Sequence, residues 1–477
     1  MTIHVPQTHP KPKLWQALLP IVLTIGLLLI QIVVFKGDPH IPILFGVVLT
    51  ALMGKLIGFR WEDLEAGILD GIRIGLVSMI ILLLVGMLIG TWILSGTVPV
   101  MVYLGLQSLS PAIFLVAALV ICSVVSLATG TSWGTVGTVG LALIGIGEGL
   151  GIPLPLVAGA IISGAFFGDK MSPLSDTTNL ASAVAGVSLF SHIRHMSTTT
   201  LPAMLIAGGL YAALGMRYAD NDLDMGTIGA ITQSLETTFA LSPWLLAPAV
   251  LVMALAILRV PAIPSLFIGV MAGGALAIGA QGASLQDVFV AMQSGYVSQT
   301  GIAAVDSLLT RGGLNGLMWT ISLVFLALAF GGVLERTRAL ETVLSSVLAL
   351  AKQRGGLITS TVLTSVGVNA LAGDPYLSVA LPGRMYAPAY AKAGLSGRNL
   401  SRAIEDGGTL VSPLIPWNSG GAYCSSMLGV ATLAYLPFAF ANWLTPLISI
   451  AYGLTGLFVE EADSPGLRAS VPAADLS

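Results

Sequence analysis

The chain has 477 residues, of which 55% are hydrophobic and 9% are charged, and its mean hydropathy is +0.91. Soluble domains carry about 25% charged residues, so this composition excludes an ordinary soluble protein and predicts one embedded in a lipid bilayer. The net charge of −3 and the scattered 20 Lys and Arg residues exclude a nucleic-acid-binding face. The sequence contains no Walker loop, nucleophile elbow or metal signature. We therefore expect neither an enzyme nor a resident cofactor.

The first predicted membrane span is the uncharged run of residues 14–35. A signal peptide is the alternative, but this run is too long for one and lacks a small-residue cleavage site. Two positive residues, Lys11 and Lys13, precede this span. Three more, Lys55, Arg60 and Arg73, follow the second span. By the positive-inside rule they predict a cytoplasmic N-terminus for a multi-pass protein of a bacterial-type cytoplasmic (inner) membrane.

Further apolar runs along the chain predict more spans, at residues 154–167, 201–215, 243–258, 263–279, 314–334, 357–371 and 422–454. Residues 61–72 are amphipathic and are expected to lie at the membrane interface. Residues 98–109 form a half-length piece that need not cross the membrane. The predicted fold is an all-α polytopic membrane protein with about 11–13 transmembrane helices plus re-entrant or broken helices.

Three short echoes occur in the same order in the two halves of the chain and favour a duplication. Residues 62–64 resemble 286–288, residues 127–130 resemble 371–374, and residues 172–174 resemble 412–414. Many secondary transporters are built from such repeats, which are parallel in some families and inverted in others. We divide the chain into N-terminal transmembrane helices (1–60), transmembrane repeat 1 (61–216), a polar linker with connecting transmembrane helices (217–284), transmembrane repeat 2 (285–459) and a polar tail (460–477).

Polar groups stranded among apolar spans mark a candidate site, because an aspartate at the bilayer centre costs about 2.5–3.5 kcal/mol on insertion scales. In the first such block, residues 168–179, Pro173 predicts a broken helix with exposed carbonyl groups. The candidate ion- and proton-binding residues of this block are Asp169, Ser172, Ser175, Asp176, Thr177, Thr178 and Asn179. For Na⁺ itself we expect Asp176, Thr177, Thr178 and Asn179 as ligands. A short polar loop with a surface pair of Asp169 and Lys170 is the alternative.

The second block, residues 405–421, contributes Glu405, Asp406, Ser412 and Asn418. A cytoplasmic loop is an equal alternative for its two acidic residues, because several basic residues lie just upstream. A further candidate is Asp374, which follows an uncharged run. Secondary candidates are Thr131, Ser132, Lys170 and Asn369. A packing face of small residues is the alternative for the segment 130–135.

Two histidines, His192 and His195, could sense pH because imidazole changes its charge near neutrality. Arg194 lies between them, and this favours a plain loop on the cytoplasmic side over a pH sensor.

The two polar blocks together resemble the NhaC family of Na⁺/H⁺ antiporters, over nearly the whole chain. The resemblance rests on Gly168-Asp169-Lys170 through Asn179, on Glu405-Asp406-Gly407, and on residues 412–418. It implies inverted repeats, hairpins that enter the membrane from opposite sides, a site at the mid-plane and a homodimer. It also maps Asp169, Ser172, Asp176, Thr177, Thr178, Asn179, Asp374, Glu405, Asp406, Ser412 and Asn418 onto the polar blocks of the family.

Two positions depart from the family pattern. Pro375 stands where Gln is expected, and Gly420 stands where Cys is common. These departures leave the substrate open, because some relatives are similar to malate/lactate exchangers coupled to Na⁺ and H⁺.

The predicted function is exchange of Na⁺ for H⁺ by alternating access, with both ions competing for shared carboxylates. Asp176 is the first choice for the proton carrier, Asp169 is expected to be stabilised by Lys170, and Asp374 and Glu405 are alternates. A carrier of small organic anions is the rival, in which Lys170, Thr131 and Asn418 would recognise the anion. A passive channel or non-transporting membrane receptor is a remoter alternative.

Overall fold

The computed structural model describes residues 11–218, 225–258, 260–302, 305, 306, 309–351 and 353–462. Within these ranges the chain folds into helices joined by short connections, without a β-strand. A helix satisfies its own backbone hydrogen bonds, as lipid requires. The predicted all-α class is thereby confirmed.

The helices of the first half are α1 (Leu14–Leu29, continued by a π-helical turn Ile30–Val34), α2 (His40–Ile57), α3 (Trp61–Leu94), α4 (Thr97–Ser108), α5 (Pro111–Thr129), α6 (Ser132–Thr135, continued by the π-helical turn Val136–Gly140), α7 (Leu141–Gly149), α8 (Leu154–Met171), α9 (Asp176–Val184) and α10 (Leu189–Met216).

The second half contains α11 (Met225–Thr238), a 3₁₀ turn (Pro243–Leu246), α12 (Ala247–Ile257), α13 (Ala262–Gln281), α14 (Leu285–Ser294), α15 (Gly313–Gly316), α16 (Met318–Arg336), α17 (Ala339–Leu350), α18 (Arg354–Ala372), α19 (Pro375–Lys392), α20 (Gly397–Gly408), a 3₁₀ turn (Ser412–Leu414), α21 (Ser419–Leu428), α22 (Thr432–Tyr435), a 3₁₀ turn (Leu436–Phe438) and α23 (Phe440–Thr455).

Among the described residues, nine helices are long and apolar enough to cross a membrane, and eleven spans result if each of two bent helix pairs counts as one. The pairs bend by 87° before Pro243 and by 60° before Phe440. The predicted single span of residues 422–454 is therefore wrong, since α21, α22 and α23 occupy that range. The half-length helix predicted for residues 98–109 is confirmed by α4.

The amphipathic segment 61–72 is the first third of α3, a continuous helix of 34 residues that packs along α16. Its position at the membrane interface stays a prediction. Asp63 accepts a hydrogen bond of 3.2 Å from Arg336 Nη2 at the end of α16. A polar residue of this segment thus contacts a neighbouring helix. An amphipathic sequence pattern alone does not show whether such polar residues face another helix or lipid headgroups.

Two helices are broken where prolines occur in the sequence. Helix α8 ends at Met171 and α9 begins at Asp176, while α20 ends at Gly408 and α21 begins at Ser419. The predicted break at Pro173 is confirmed. Residues 130 and 373 are both left-handed glycines that end a 19-residue helix. The echoed sequences thus have similar local structure, and the repeats, their inversion and the five-part division stay predictions.

The polar tail begins closer to the helices than predicted. Glu460 and Glu461 pair with Arg398 and Arg354, both at 2.6 Å. Residues 463–477 lie outside the described residues, as do residues 219–224 of the predicted linker.

Helices α3 and α16 pack through glycines, and we expect this contact to tolerate no added methyl group. A Cβ at Gly332 would lie 2.2 Å from the Gly67 carbonyl oxygen. Gly332→Ala should therefore destabilise the protein by about 1–3 kcal/mol, measured as a lower melting temperature in detergent. Gly209→Ala is the control, because nothing lies within 4 Å of a Cβ there. Equal melting temperatures for the two variants would contradict the close packing of these helices.

Candidate functional site

The starts of four helical segments meet at one cavity of about 410 Å³, here called the ion cavity. Each segment starts with a polar side chain that accepts a hydrogen bond from the first turn: Thr131, Ser175, Asp374 and Asn418. The polar lining includes Thr131, Ser132, Thr135, Thr138, Asp169, Asp176, Thr177, Tyr376, Thr409, Ser412 and Ser419. Both predicted polar blocks thus contribute to the same cavity. Helix starts carry partial positive charge, which favours the ionised form of nearby carboxylates.

Asp169, near the end of α8, is a buried carboxylate on this cavity. Its Oδ2 atom accepts hydrogen bonds from the backbone N–H and the hydroxyl of Ser132, at 3.1 and 2.6 Å. Its Oδ1 atom is buried and makes no hydrogen bond of good geometry among the described residues, although the Ser175 hydroxyl lies close enough to interact with the carboxylate. A buried acceptor without a good hydrogen bond is costly, so this oxygen requires a proton, a water molecule or a cation.

Lys170 does not stabilise Asp169, contrary to the expectation above. Successive helix residues point about 100° apart, so Lys170 faces α20 instead and forms an ion pair with Asp406. Both side chains are fully buried. Thr199 completes the pair by donating to Asp406 Oδ2 at 3.1 Å. The alternative of a surface pair between Asp169 and Lys170 is wrong for the same reason.

Glu405 lies directly behind the cavity wall. Its Oε1 atom accepts hydrogen bonds from Thr177 at 3.2 Å and from Thr409 at 2.9 Å, and both hydroxyl-bearing residues line the ion cavity. Its Oε2 atom is buried without a donor among the described residues. Glu405 and Asp406 are fully buried in α20, so the cytoplasmic-loop interpretation is wrong.

Asp176 is the exposed carboxylate of the ion cavity. Its Oδ2 atom accepts a hydrogen bond of 2.5 Å from the hydroxyl of Tyr376, and its Oδ1 atom accepts one of 2.9 Å from the Thr177 N–H. Tyr376 belongs to the second half of the chain and was missed by the sequence analysis. Its position, two residues after Asp374, was the available signal.

The other residues of the first block do not converge on the cavity. Thr178 donates to the Lys170 carbonyl at 2.9 Å, and Asn179 donates to the carbonyls of Pro173 and Ser175 at 3.0 and 2.6 Å. Ser172 donates to the Leu127 carbonyl at 2.8 Å, and Ser175 caps α9. These side chains fix the helix break. The four predicted Na⁺ ligands are thus not brought together, since consecutive residues of α9 point in different directions.

In the second block, amides hold the corresponding break. Asn418 Nδ2 donates to the carbonyl oxygen and to the side-chain oxygen of Asn369, at 3.1 and 3.0 Å. Asn369 Nδ2 in turn donates to the carbonyls of Gly407 and Gly408. Ser412 lines the cavity while donating to Asn418 Oδ1 at 2.7 Å. The Asp374 side chain accepts from the Leu377 N–H at 2.8 Å and caps α19.

Aromatic rings form part of the cavity wall. Trp133 lines the cavity and stacks on Tyr423 with ring centroids 4.4 Å apart. The Tyr423 hydroxyl donates to the Trp133 carbonyl at 2.6 Å. This contact joins the segment 130–135 to α21, so that segment is more than a small-residue packing face. Neither ring was a sequence-based candidate, because an aromatic residue in an apolar run usually reads as core.

The charge of the cavity distinguishes cations from anions. Its described lining includes the carboxylates of Asp169 and Asp176 but no Lys, Arg or His side chain. Lys170, the nearest candidate for anion recognition, is already paired with Asp406. The arrangement therefore favours a cation over an anion.

The two histidines are not in a loop. His192 and His195 lie in α10, where both are buried.

Known proteins match this chain across the site and beyond it. The family model described as the Na⁺/H⁺ antiporter family matches residues 164–457. The Na⁺/H⁺ antiporter NhaC of Alkalihalophilus pseudofirmus is 42% identical over 92% of this chain and 95% of its own length. The arginine/ornithine antiporter ArcD of Halobacterium salinarum is 41% identical, covering 94% and 93%, and the malate-2H⁺/Na⁺-lactate antiporter of Bacillus subtilis is 39% identical, covering 93% and 95%.

The matched residues include both helix breaks, between α8 and α9 and between α20 and α21, and all carboxylates of the site. The resemblance drawn from the two polar blocks is thereby confirmed. This chain, a multi-pass membrane protein, belongs to the Na⁺/H⁺ antiporter family.

Proposed function

We propose that the protein exchanges Na⁺ for H⁺ at Asp169 by alternating access. The observation that carries this proposal is the buried Oδ1 atom of Asp169, which makes no hydrogen bond of good geometry among the described residues while the other carboxylate oxygen is held by Ser132. A proton and a Na⁺ ion each satisfy this oxygen, and they exclude one another. Competition between the two ions for one carboxylate couples their movements.

Oxygen ligands for Na⁺ are available around Asp169. The carboxylate of Asp176 and the hydroxyls of Ser132 and Thr177 line the same cavity. This set replaces the predicted one, in which Thr178 and Asn179 accompanied Asp176 and Thr177. Asp169 replaces Asp176 as the proton carrier, because Asp176 is exposed and already accepts the Tyr376 hydroxyl. Glu405, whose Oε2 atom also lacks a donor among the described residues, is the second proton position.

Asp406, Asp374 and Asn418 have structural roles in this proposal. Asp406 is neutralised by Lys170, while Asp374 and Asn418 cap helices at the cavity. The breaks in α8–α9 and α20–α21 come from different halves of the chain and meet at the site. Movement of one half against the other would expose Asp169 to each side of the membrane in turn.

A second candidate is exchange of an organic acid coupled to Na⁺ and H⁺. The volume of the cavity favours it, since about 410 Å³ lies in the range of small-molecule sites. The absence of a free cation from the described lining argues against it, because a carboxylate substrate would meet Asp169 and Asp176. An organic anion would then have to enter together with Na⁺.

We place the protein in a bacterial-type cytoplasmic membrane with its N-terminus in the cytoplasm. Lys11 pairs with Glu341 at 2.5 Å, and Asp63 pairs with Arg336. The N-terminus, the start of α3 and the end of α16 therefore share one basic end of the molecule, which the positive-inside rule makes cytoplasmic. A homodimer remains part of the proposal, by the resemblance alone.

Neutralising Asp169 tests the proposed exchange. In proteoliposomes under an imposed pH gradient, wild type should release protons on addition of Na⁺ alone, and Asp169→Asn should reduce this flux to background because an amide cannot exchange a proton. Asp287→Asn, at an exposed helix cap, should retain it. Undiminished flux from Asp169→Asn would remove Asp169 from the mechanism. A wild-type response that requires malate or lactate in addition to Na⁺ would favour the organic-acid reading.

The Lys170–Asp406 pair should act as a structural unit. Lys170→Met leaves a buried carboxylate unpaired and should cost about 3–5 kcal/mol, whereas the double variant with Asp406→Leu should recover most of it. The melting temperature in detergent measures both effects. We also expect the double variant to exchange Na⁺ for H⁺. A stable double variant without exchange would return Asp406 or Lys170 to the transport mechanism.

Cysteine labelling tests the orientation, since Cys122 and Cys424 are both buried and can be replaced. Lys392 lies two turns beyond Arg384, which is 3.9 Å from Glu335 at the basic end. Gln286 follows Gln281, whose side chain donates to Ser95 at the opposite end of α3. In intact cells, an impermeant maleimide should label Gln286→Cys but label Lys392→Cys only after permeabilisation. The reverse pattern would place the N-terminus outside.

A further inference from the structure

A line of buried polar side chains, here called the histidine seam, runs between α10 and α20. On α10, His192, His195 and Thr199 are spaced three and four residues apart and so lie on one helix face. This face packs against α20, which carries Glu405 and Asp406. None of these three α10 residues lines the ion cavity.

Contacts along the seam connect the surface to the buried ion pair. At the outer end, His195 Nδ1 lies 3.2 Å from Oε1 of Glu460, whose side chain is 41% exposed. One turn closer to the start of α10, His192 Nδ1 lies 2.8 Å from the Ser401 hydroxyl. One turn closer to the end of α10, Thr199 donates to Asp406, which is fully buried.

Several seam atoms lack partners among the described residues. They are Nε2 of His192, Nε2 of His195, and Nε and Nη2 of Arg402, all buried. Arg402 lies one turn before Asp406 and donates through Nη1 to Thr198 and to the Phe458 carbonyl. Buried polar atoms without partners are rare in folded proteins, and ordered water is the usual explanation. Water molecules that bridge these nitrogens would form a hydrogen-bonded path beside the helices.

We propose that the histidine seam conducts protons between the surface at Glu460 and the Glu405 carboxylate of the ion site, separately from the cavity that Na⁺ enters. This inference rests on the proposed Na⁺/H⁺ exchange. Protons and Na⁺ then reach neighbouring carboxylates from different directions, so the departing ion does not block the arriving one.

Each transfer step conserves protons. In the outward direction, the proton leaves Oε2 of Glu405, which lies one turn beyond Ser401 on the same face of α20, and water carries it past Ser401 to His192. One ring nitrogen of His192 accepts this proton while the other releases its own to water, which delivers it to Nε2 of His195. The Nδ1–H group of His195, which donates to the ionised Glu460 carboxylate at rest, then passes its proton to Glu460, and Glu460 releases it to solvent. Each ring ends neutral in its other tautomer. Reorientation of each ring or the reverse passage restores the starting tautomers. No oxidant or additional reactant takes part.

Charges of both signs flank the seam. Lys170, Arg398 and Arg402 are the cations that face it, and Asp406 and Glu460 are the anions. Partial burial alone would raise the pKa of Glu460, but the hydrogen bond from Arg398 and the neighbouring His195 hold it below its ordinary value. The carboxylate is therefore ionised at neutral pH and attracts protons at the mouth of the seam.

Comparing two exchange modes of the same protein tests the seam. Exchange of external Na⁺ for internal ²²Na⁺ needs no net proton transfer, whereas exchange of Na⁺ for H⁺ does. In proteoliposomes, His195→Gln should slow Na⁺/H⁺ exchange roughly tenfold or more and leave ²²Na⁺/Na⁺ exchange within about twofold of wild type. Glu460→Gln, at an exposed position, should show the same selectivity with a smaller effect. His40→Gln is the matched control, because His40 lies on α2 outside the seam and should change neither mode.

The outcomes separate this inference from the proposed function. If His195→Gln and Glu460→Gln slow both modes equally, the residues are structural and the seam carries no protons. Unchanged rates in both modes would also overturn the inference. If wild type catalyses no Na⁺-dependent proton movement, the proposed function itself fails. Only a selective loss of the proton-coupled mode, with His40→Gln unaffected, supports a separate proton path.

Discussion

Two carboxylates of the candidate site are buried without enough hydrogen-bond donors, and the remaining features of the site follow from that constraint. Asp169 and Glu405 each have one oxygen held by hydroxyl groups and one oxygen that makes no hydrogen bond of good geometry among the described residues. An ionised carboxylate in such a place is costly unless a cation or a proton joins it. In the proposed exchange, the departure of one ion would leave this charge unpaired, and the free-energy cost would couple its departure to the arrival of the other ion.

The helix breaks make this burial possible. A continuous helix offers no free backbone groups at its centre, whereas α9 and α21 begin inside the protein and direct their first N–H groups toward the cavity. The side chains of Ser175 and Asn418 accept hydrogen bonds from some of these N–H groups. The partial positive charge of the helix starts offsets the negative charge of the carboxylates. The Lys170–Asp406 pair then joins α8 to α20 across the two halves of the chain.

Composition and hydropathy were sufficient to predict the class, most spans and the break at Pro173, because these depend on local sequence. The partners of the charged residues depend on the direction of each side chain in three dimensions, and here prediction failed. Asp169 and Lys170 are adjacent in sequence yet face different helices, and Thr178 and Asn179 bind backbone carbonyls instead of the cavity. His192 and His195 looked like loop residues because Arg194 separates them, but helical geometry turns both away from it.

The distribution of charge also bears on the substrate. A cavity of this volume accommodates more than a bare Na⁺ ion, and relatives of the chain include antiporters named for malate, lactate, arginine and ornithine. A cavity of this volume fits cationic and anionic substrates equally well, so the charge of its lining must discriminate between them. Because Asp406 holds Lys170, the described cavity wall presents Asp169 and Asp176 without a compensating side-chain cation. A carboxylate substrate would therefore need Na⁺ or protons already bound at these positions, whereas Na⁺ needs nothing further.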